Sequence, residues 1–328
     1  MLKDLLTVSG SVLTLLLMMA VGFLLGKKGM LVKQTLTQMS TLLMCIVSPA
    51  LMIDAFLKET RDGPTVHGLL VAAASLVAMY VLQGVLMIVF FRRMPEEERG
   101  VSRFAAIYGN VGFMGVPLIQ SVLGAPGMIT TVMSLGIFNL GIWTHGAWLV
   151  GGKSQMSAKK ALLNPGVIGL VLALGLFALQ VKLPTPIHSA VSYIGSLNTP
   201  LAMVIIGAQM AAVNLPELFR DAKLFLVSTI KLLLIPAVAM VVLLPFRLDP
   251  VIYTAVVILS ACPTAGATSL MCQMAGKDTS LAARLVTLST ILSIVTLPIV
   301  ASVAKALAGM KCHLKRREFN GTRFVDLA

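Results

Sequence analysis

The chain has 328 residues, of which 57% are apolar and only 12% are charged. A soluble domain would carry roughly 25% charged residues, so this chain has too few polar side chains to cover a water-exposed globule. Its net charge of +13 would suggest nucleic acid in a soluble protein, but here nearly all charges lie in short loops between apolar segments. This pattern is typical of a multi-pass membrane protein and gives no reason to expect nucleic-acid binding. Sparse aromatic residues and the absence of alternation argue against a membrane β-barrel.

Ten apolar segments follow one another along the chain, and nearly all are as long as a bilayer crossing requires. They lie near 5–25, 35–57, 66–91, 101–123, 127–150, 165–181, 187–213, 222–246, 250–275 and 281–309. The sequence therefore predicts an all-α polytopic membrane protein with ten transmembrane helices. The polar, basic tail at 311–328 is predicted to be disordered.

The basic residues predict the orientation of the chain. Omitting Lys305 and the tail, the loops after the odd-numbered segments contain 14 Lys and Arg residues, and the opposite side contains 5. Because basic loops stay on the cytoplasmic side, we expect a multi-pass protein of the cell membrane with both termini outside.

Two features recur at one spacing and predict internal symmetry. Pro49 and Pro200 are 151 residues apart, and so are Gly115 and Gly266. They divide the chain into a first five-helix repeat at 1–150 and a second at 160–310. Because each repeat has an odd number of spans, the second must be inverted in the membrane, as in many secondary transporters.

The fourth and ninth segments contain residues that break helices. Three glycines and a proline lie within Gly109–Pro117, and Ser260–Ser269 combines a proline and a glycine with hydroxyl side chains. Broken helices in a membrane survive where they line a cavity or are buried in protein, and their amino ends expose N–H groups that suit a carboxylate. The alternative is that these segments are kinks that allow close helix packing. The candidate substrate-binding residues are Gly109, Asn110, Gly112, Gly115, Pro117, Pro263, Thr264, Gly266, Thr268, Ser269 and Lys231.

Ionisable residues within the apolar segments are few, and each has two interpretations. Lys231 either supports the substrate site or makes a structural hydrogen bond, for example to a carbonyl of a broken helix. Asp54 is either a helix-end residue in water or a group that couples transport to a proton or cation. His145 is either a proton relay or an interfacial side chain with its hydrogen bonds satisfied. Asn198 precedes Thr199 and Pro200 and is expected to serve a helix break.

Two stretches carry a resemblance to a known family. The sequence YGNVGFMGVPLI at Tyr108–Ile119 resembles the fourth helix of the auxin efflux carrier family, in its bacterial form, and STILSIVTLPI at Ser289–Ile299 resembles its tenth. The resemblance covers about 1–310. It implies ten helices with the fourth and ninth broken and crossing, a fold related to the sodium–bile acid symporters, and a homodimer. It also implies a scaffold of helices one, two, six and seven, and substrates such as malate, malonate or auxin.

These features together predict a secondary carrier for small organic anions that works by alternating access. The alternatives are a sodium-coupled symporter of the bile-acid type, an intramembrane enzyme and a receptor without transport. We expect no enzyme, because paired aspartates, a zinc motif and a nucleophile elbow are missing. No cofactor and no metal site are expected. Protons or Na⁺ are possible coupling ions, and membrane lipids surround the protein. The sequence does not determine the substrate, the direction of transport or the coupling ion.

Overall fold

The computed structural model describes residues 2–212 and 218–322, with side chains described from residue 13 to residue 309 apart from the gap at 213–217. Over these ranges the chain is helical and forms no strand, which confirms the prediction of an all-α protein. The helices are α1 (Leu2–Lys27), α2 (Lys33–Leu57), α3 (Gly63–Phe90), α4 (Glu96–Ile107), α5 (Val111–Leu123), α6 (Ala125–Gly151), α7 (Ala158–Leu162), α8 (Pro165–Ala178), α9 (Thr185–Ala211), α10 (Ala222–Leu243), α11 (Pro250–Ser260), α12 (Ala267–Met274) and α13 (Ser280–Thr322).

Six of these helices are long and apolar enough to cross a membrane: α2, α3, α6, α9, α10 and α13. Four shorter apolar helices lie at Leu13–Lys27, Val111–Leu123, Pro165–Ala178 and Pro250–Ser260. A helix of 14 residues such as α8 is about 21 Å long, which is less than the hydrocarbon thickness of about 30 Å. Each of the ten predicted segments therefore contains an apolar helix, and six of them meet the length of a full crossing.

Helix starts follow local capping chemistry. Asp62, Asn164 and Asp249 each accept a hydrogen bond from a backbone N–H of the first turn, of α3, α8 and α11 respectively. Each is followed within two residues by proline, whose fixed φ suits a first helical turn. The hydroxyl and N–H of Thr65 both donate to Asp62, and they lower the pKa of this loop carboxyl.

Four π-helical turns widen the spanning helices, at Leu43–Val47, Val111–Gly115, Ile142–Gly146 and Ile230–Leu234. Three of them end two residues before a proline, at Pro49, Pro117 and Pro236. Proline has no N–H and collides with the carbonyl one turn earlier, so the ladder widens there instead of breaking. The widened turn lets a proline lie inside a long apolar helix.

A first helix group consists of α1, α2, α8 and α9, which pack closely through glycines. A Cβ atom on Gly207 of α9 would lie 1.9 Å from the carbonyl oxygen of Met19, and one on Gly22 of α1 would lie 2.1 Å from that of Val204. Similarly, a Cβ on Gly169 of α8 would meet Pro49 at 2.8 Å. Small residues of this kind let membrane helices approach backbone to backbone.

A second helix group consists of α3, α4, α5, α6, α10, α11, α12 and α13. Its helices surround the ends of α4 and α11, where the fourth and ninth segments are broken. Ion pairs join its basic loop face, between Lys223 and Glu98 at 2.9 Å and between Arg284 and Asp221 at 2.8 Å. The two groups meet where α1 contacts α5 and α13, where α9 contacts the first turn of α5, and where α6 packs against α2 and α8.

The tail at 311–328, which is predicted to be disordered, begins within the last described helix. Helix α13 continues to Thr322, and residues 323–328 lie outside the described residues. The stretch from Lys311 to Arg317 contains no proline or glycine and is rich in lysine and arginine, which are good helix formers. Nothing in this sequence ends the helix where the apolar pattern ends.

Candidate functional site

Two helices are interrupted at one place in the interior of the second helix group. Helix α4 ends at Ile107 and α5 begins at Val111, while α11 ends at Ser260 and α12 begins at Ala267. We call the two connecting stretches, 108–110 and 261–266, the crossover. These are the breaks that the glycines and prolines of the fourth and ninth segments predict.

The two stretches of the crossover pair with each other through their backbones. The N–H of Asn110 donates to the carbonyl of Pro263 at 2.6 Å, and the N–H of Ala265 donates to the carbonyl of Tyr108 at 3.0 Å. Together these bonds form an isolated antiparallel bridge. Backbone groups that lose their helical partners at the breaks therefore satisfy each other, as an apolar interior requires.

Gly109 and Thr264 lie opposite each other in this bridge. The Thr264 hydroxyl donates to the carbonyl of Ala105 at 3.0 Å, and its N–H donates to the Ser289 hydroxyl at 3.1 Å. Thr264 is 1% exposed, so these bonds are shielded from water. This threonine fastens the ninth segment to α4 and α13 and has no donor left for a ligand.

Glycines allow the close approach of the crossover to its neighbours. A Cβ atom on Gly109 would lie 3.0 Å from the carbonyl oxygen of Cys262 and 3.1 Å from Lys231 Nζ. One on Gly115 would lie 2.8 Å from Leu259 Cδ2. Glycine is needed at both positions for packing, which is the structural alternative that the sequence left open. Gly112 is less tight, since its nearest neighbour is Leu135 Cδ2 at 3.3 Å.

Asn110 caps the amino end of α5, where its Oδ1 accepts from the N–H of Phe113 at 3.2 Å. One turn further along, Pro117 follows the π-helical turn and is buried. From the first helix group, Asn198 Nδ2 of α9 donates to the carbonyl of Gly112 at 3.2 Å. The Ser48 hydroxyl of α2 donates to Asn198 Oδ1 at 3.3 Å. The start of α5 is thus the point where both helix groups are joined by hydrogen bonds.

The amino end of α12 is more open than that of α5. Gly266 is exposed with open space around its Cα, and Ser269 is partly exposed. Thr268 is buried, and its hydroxyl donates to the carbonyl of Ala265 at 2.7 Å. Of the predicted residues in the ninth segment, Gly266 and Ser269 are therefore open to a ligand, whereas Thr268 and Pro263 are enclosed.

Lys231 of α10 lies next to the crossover. Its side chain is 1% exposed, and its Nζ donates to the carbonyl of Ile107 at 3.2 Å. Ile107 is the last residue of α4, so the amine lies at the partially negative carboxyl end of a helix, where a cation is stabilised. This bond agrees with one of the two interpretations of Lys231 from the sequence, a structural hydrogen bond to a carbonyl of a broken helix.

His145 reaches the crossover only through Tyr108. The Tyr108 hydroxyl donates to the carbonyl of Gly141 at 3.0 Å, and it lies 3.0 Å from His145 Nδ1. Because the phenol has one proton, its bond to Gly141 leaves the imidazole N–H to donate to the phenol oxygen. His145 therefore has a satisfied structural position that fixes the Tyr108 ring.

Asp54 is not brought to the crossover. Near the end of α2 its Oδ2 lies 2.6 Å from Lys58 Nζ, and its Oδ1 lies 3.6 Å from His188 Nε2. Because it is 8% exposed, it is not a helix-end residue in water. Its partners, Lys58 and His188, do not belong to the broken helices. Across the described side chains, no group of three or more His, Cys, Asp and Glu residues could hold a metal ion.

Gln83 of α3 and Ser134 of α6 are not among the residues predicted from the sequence. Both are buried, and both line a small cavity next to Lys231. Their signal was a polar side chain in an otherwise apolar helix, the same signal that drew attention to Lys231. Nothing in the sequence distinguishes such residues from polar groups that only bond to their own helix, as Asn139 does through the carbonyl of Leu135.

The fold and the paired breaks define a multi-pass helical membrane protein. Comparison with known proteins gives its family: residues 7–159 and 153–301 match the family described as "Membrane transport protein". The chain belongs to this family of membrane transporters, which confirms the resemblance to auxin efflux carriers.

Two relatives are similar over most of their length. An "Uncharacterized transporter" of Methanothermobacter thermautotrophicus is 24% identical over 302 residues, covering 88% of this chain and 96% of the relative. A "Putative malonate transporter" of Rhizobium meliloti is 25% identical over 218 residues, covering 63% of this chain and 68% of the relative. Both are named as transporters and neither as an enzyme.

Proposed function

We propose that this membrane transporter is a secondary carrier for small organic anions, with dicarboxylates of the malonate type as its preferred substrates. The observation that carries the proposal is the crossover, where the amino ends of α5 and α12 meet in the interior of an apolar protein. Helix amino ends hold a partial positive charge, which suits a carboxylate. The name of the Rhizobium meliloti relative supports malonate as the first compound to test.

The substrate site in this proposal lies on the side of the crossover that faces the first helix group. Asn110 and Gly112 stand at the start of α5, next to Asn198 of α9. Gly266 and Ser269 stand at the start of α12. The Nδ2 group of Asn110 has no partner among the described residues, so it can donate to a substrate oxygen while Oδ1 continues to cap the helix. Two carboxylates on one small molecule match two helix ends.

In the proposed architecture the ten apolar segments span the membrane as two inverted five-helix repeats. The first helix group is the scaffold, and the second is the unit that moves. Glycine contacts hold the scaffold helices backbone to backbone, which favours a rigid body. Transport then proceeds by rocking the second group against the first around the crossover, with both termini outside the cell membrane.

The contacts between the groups support such a motion. They comprise an apolar seam between α1, α5 and α13, the packing of α6 against α2 and α8, and a few hydrogen bonds around Asn198. The seam encloses a small cavity between Met19, Met114, Leu297 and their neighbours, and the cavity has room for roughly one water molecule. Because apolar surfaces without interlocking polar bonds can slide, this seam is where an entrance for the anion can open.

The direct test is flux in proteoliposomes. Purified protein should take up labelled malonate down its gradient and exchange it for unlabelled malonate, with malate and an aromatic acetate as further candidates. Sodium and proton gradients imposed separately identify the coupling ion. Neither binding nor flux with a broad panel of carboxylates would contradict the proposed function.

The Asn110→Ala variant tests the site. It should weaken malonate binding about tenfold or more, because it removes a donor to a charged ligand, a contact of roughly 1.5–3 kcal/mol. The matched control is Asn164→Ala, which removes an equivalent helix cap from α8. Both variants lose a cap of about 1 kcal/mol, so equal thermal stability with unequal malonate affinity assigns Asn110 to the site. Normal malonate affinity in Asn110→Ala would exclude Asn110 from the substrate site.

A further inference from the structure

A second polar cavity lies on the far side of the crossover. Its lining comes only from the second helix group: Leu76, Met79, Tyr80, Gln83, Ile107, Gly109, Ser134, Lys231, Val256, Leu259 and Ser260. No described residue of the first helix group lines it. The cavity has room for roughly one water molecule. Its lining includes none of Asn110, Gly112, Gly266 and Ser269, so it is distinct from the proposed substrate site.

Unsatisfied polar atoms face this cavity. Gln83 is 4% exposed, and its Oε1 has no hydrogen-bond partner in the described structure. Lys231, also buried, donates to the carbonyl of Ile107 and has two further N–H groups without an acceptor among the described residues. A buried acceptor without a partner costs free energy unless a ligand or water satisfies it. The Lys231 amine and the Gln83 Oε1 atom together form a site for a small species that carries a proton.

The amine of Lys231 has no carboxylate within ion-pair distance among the described residues. An ammonium buried without a counter-ion is costly, and lysine in such a place readily changes its protonation state. The stabilising group is instead the carboxyl end of α4, through Ile107. The charge of Lys231 is therefore coupled directly to the break that forms the crossover.

Other titratable groups near Lys231 are neutral or already paired. Cys262 of the crossover and Tyr80 of α3 carry a thiol and a phenol, which are neutral near pH 7. On the helices packed against α10, Arg103 of α4 donates to the carbonyl of Met87, and Arg284 of α13 pairs with Asp221 at the loop face. On α11, the Tyr253 hydroxyl donates to the carbonyl of Met240.

We propose that Lys231 is a proton-binding site of the transport cycle. The ammonium releases one proton to water when the cavity opens, leaving a neutral amine, and it regains one proton from water when the substrate is bound. An anion at the amino ends of α5 and α12 favours the charged amine across the crossover, so binding of the anion takes up a proton. This inference rests on the proposed function, because the anion is the carboxylate substrate of the same crossover.

The test measures proton uptake on binding. Isothermal titration of the purified protein with malonate, in two buffers of different ionisation enthalpy, gives the number of protons taken up. Malonate is fully ionised from about pH 7 to about pH 10, so it does not itself contribute. We expect the wild-type affinity to fall as pH rises, by up to about tenfold per pH unit, with up to one proton taken up.

Lys231→Arg should abolish the pH dependence, because arginine stays charged over the whole range. Lys231→Gln is neutral throughout, should abolish it as well, and serves if arginine does not fit the cavity. The control is Lys223→Arg on the same helix, where the lysine is paired with Glu98 at the loop face. This control should keep the wild-type slope.

Three results would overturn the inference. If wild-type protein binds malonate without taking up a proton, Lys231 is not a proton-binding site of the cycle, whether or not the variants fold. Proton uptake that persists in Lys231→Arg assigns the proton to another group. If no carboxylate binds at any pH, the proposed function fails and this inference fails with it, which is distinguishable from binding without proton uptake.

Discussion

At the scale of residues, the crossover depends on side chains that are absent or short. Gly109 leaves room for the carbonyl of Cys262 and the amine of Lys231, and Thr264 opposite it uses its hydroxyl to bind α4. Lys231 then binds the end of α4 through Ile107. The same few residues therefore shape the backbone of the crossover and neutralise its exposed dipoles, as well as belonging to the region of the proposed site.

Gly109→Ala tests how tightly this place is packed. The new Cβ would meet two polar atoms near 3 Å, a carbonyl oxygen and an amine, so we expect a loss of about 1–3 kcal/mol in the free energy of unfolding and a large loss of uptake. Thermal unfolding and malonate flux measure both. Gly175→Ala in α8 is the control, since nothing lies within 4 Å of its Cβ, and it should be neutral or slightly stabilising. Equal behaviour of the two variants would contradict the packing argument.

At the scale of elements, broken and widened helices share a physical cause. Prolines at Pro49, Pro117 and Pro236 follow π-helical turns, in which the helix continues. A complete break requires more than a proline. The fourth segment has glycines beside its proline, and the ninth has a partner stretch whose backbone bonds to its freed groups. Each broken segment supplies that partner for the other, so neither break would be stable alone.

Gly207→Ala tests the scaffold at this scale. Its Cβ would lie 1.9 Å from the carbonyl oxygen of Met19, so α1 and α9 must separate, at a cost of about 3 kcal/mol. We expect a lower unfolding temperature and a poorer yield of monodisperse protein. The control is Gly68→Ala in α3, whose nearest neighbour is at 4.0 Å. A normal unfolding temperature in Gly207→Ala would show that the two helices are not held backbone to backbone.

At the scale of the whole molecule, the two helix groups meet across an apolar seam, through the packing of α6 against α2 and α8, and through a few hydrogen bonds. The cavity beside Lys231 and the cavity in the seam each have room for roughly one water molecule. A carrier in this conformation has to open before a dicarboxylate can enter. Movement of one group against the other is therefore a requirement of the proposed function.

A cross-link between the groups should arrest transport. Leu16 of α1 and Leu297 of α13 line the same seam cavity. In a background without the native cysteines, the Leu16→Cys/Leu297→Cys variant treated with a short bifunctional thiol reagent should lose malonate flux. If the reagent contains a reducible bond, reduction of that bond should restore the flux. The two single-cysteine variants, treated in the same way, should keep their flux. Unchanged flux in the cross-linked double variant would exclude relative motion of α1 and α13.

Much of this protein follows from its sequence. Ten apolar segments, the excess of basic residues in alternate loops and the glycine–proline runs in two segments predict a helical membrane transporter with two broken helices. These properties are local, because hydropathy and helix breaking act within one segment. The family and the breaks at Gly109–Pro117 and Ser260–Ser269 could therefore be predicted without coordinates.

The tertiary structure alone decided which polar residues meet. It placed Lys231 at the end of α4 and the Thr264 hydroxyl on the carbonyl of Ala105 in the same helix, and it paired Asp54 with Lys58 away from the crossover. It also brought Gln83 to the cavity beside Lys231. A polar side chain in an apolar helix looks the same in sequence wherever it points. Its partner is set by the rotation and contacts of helices that are more than a hundred residues apart, which no local pattern contains.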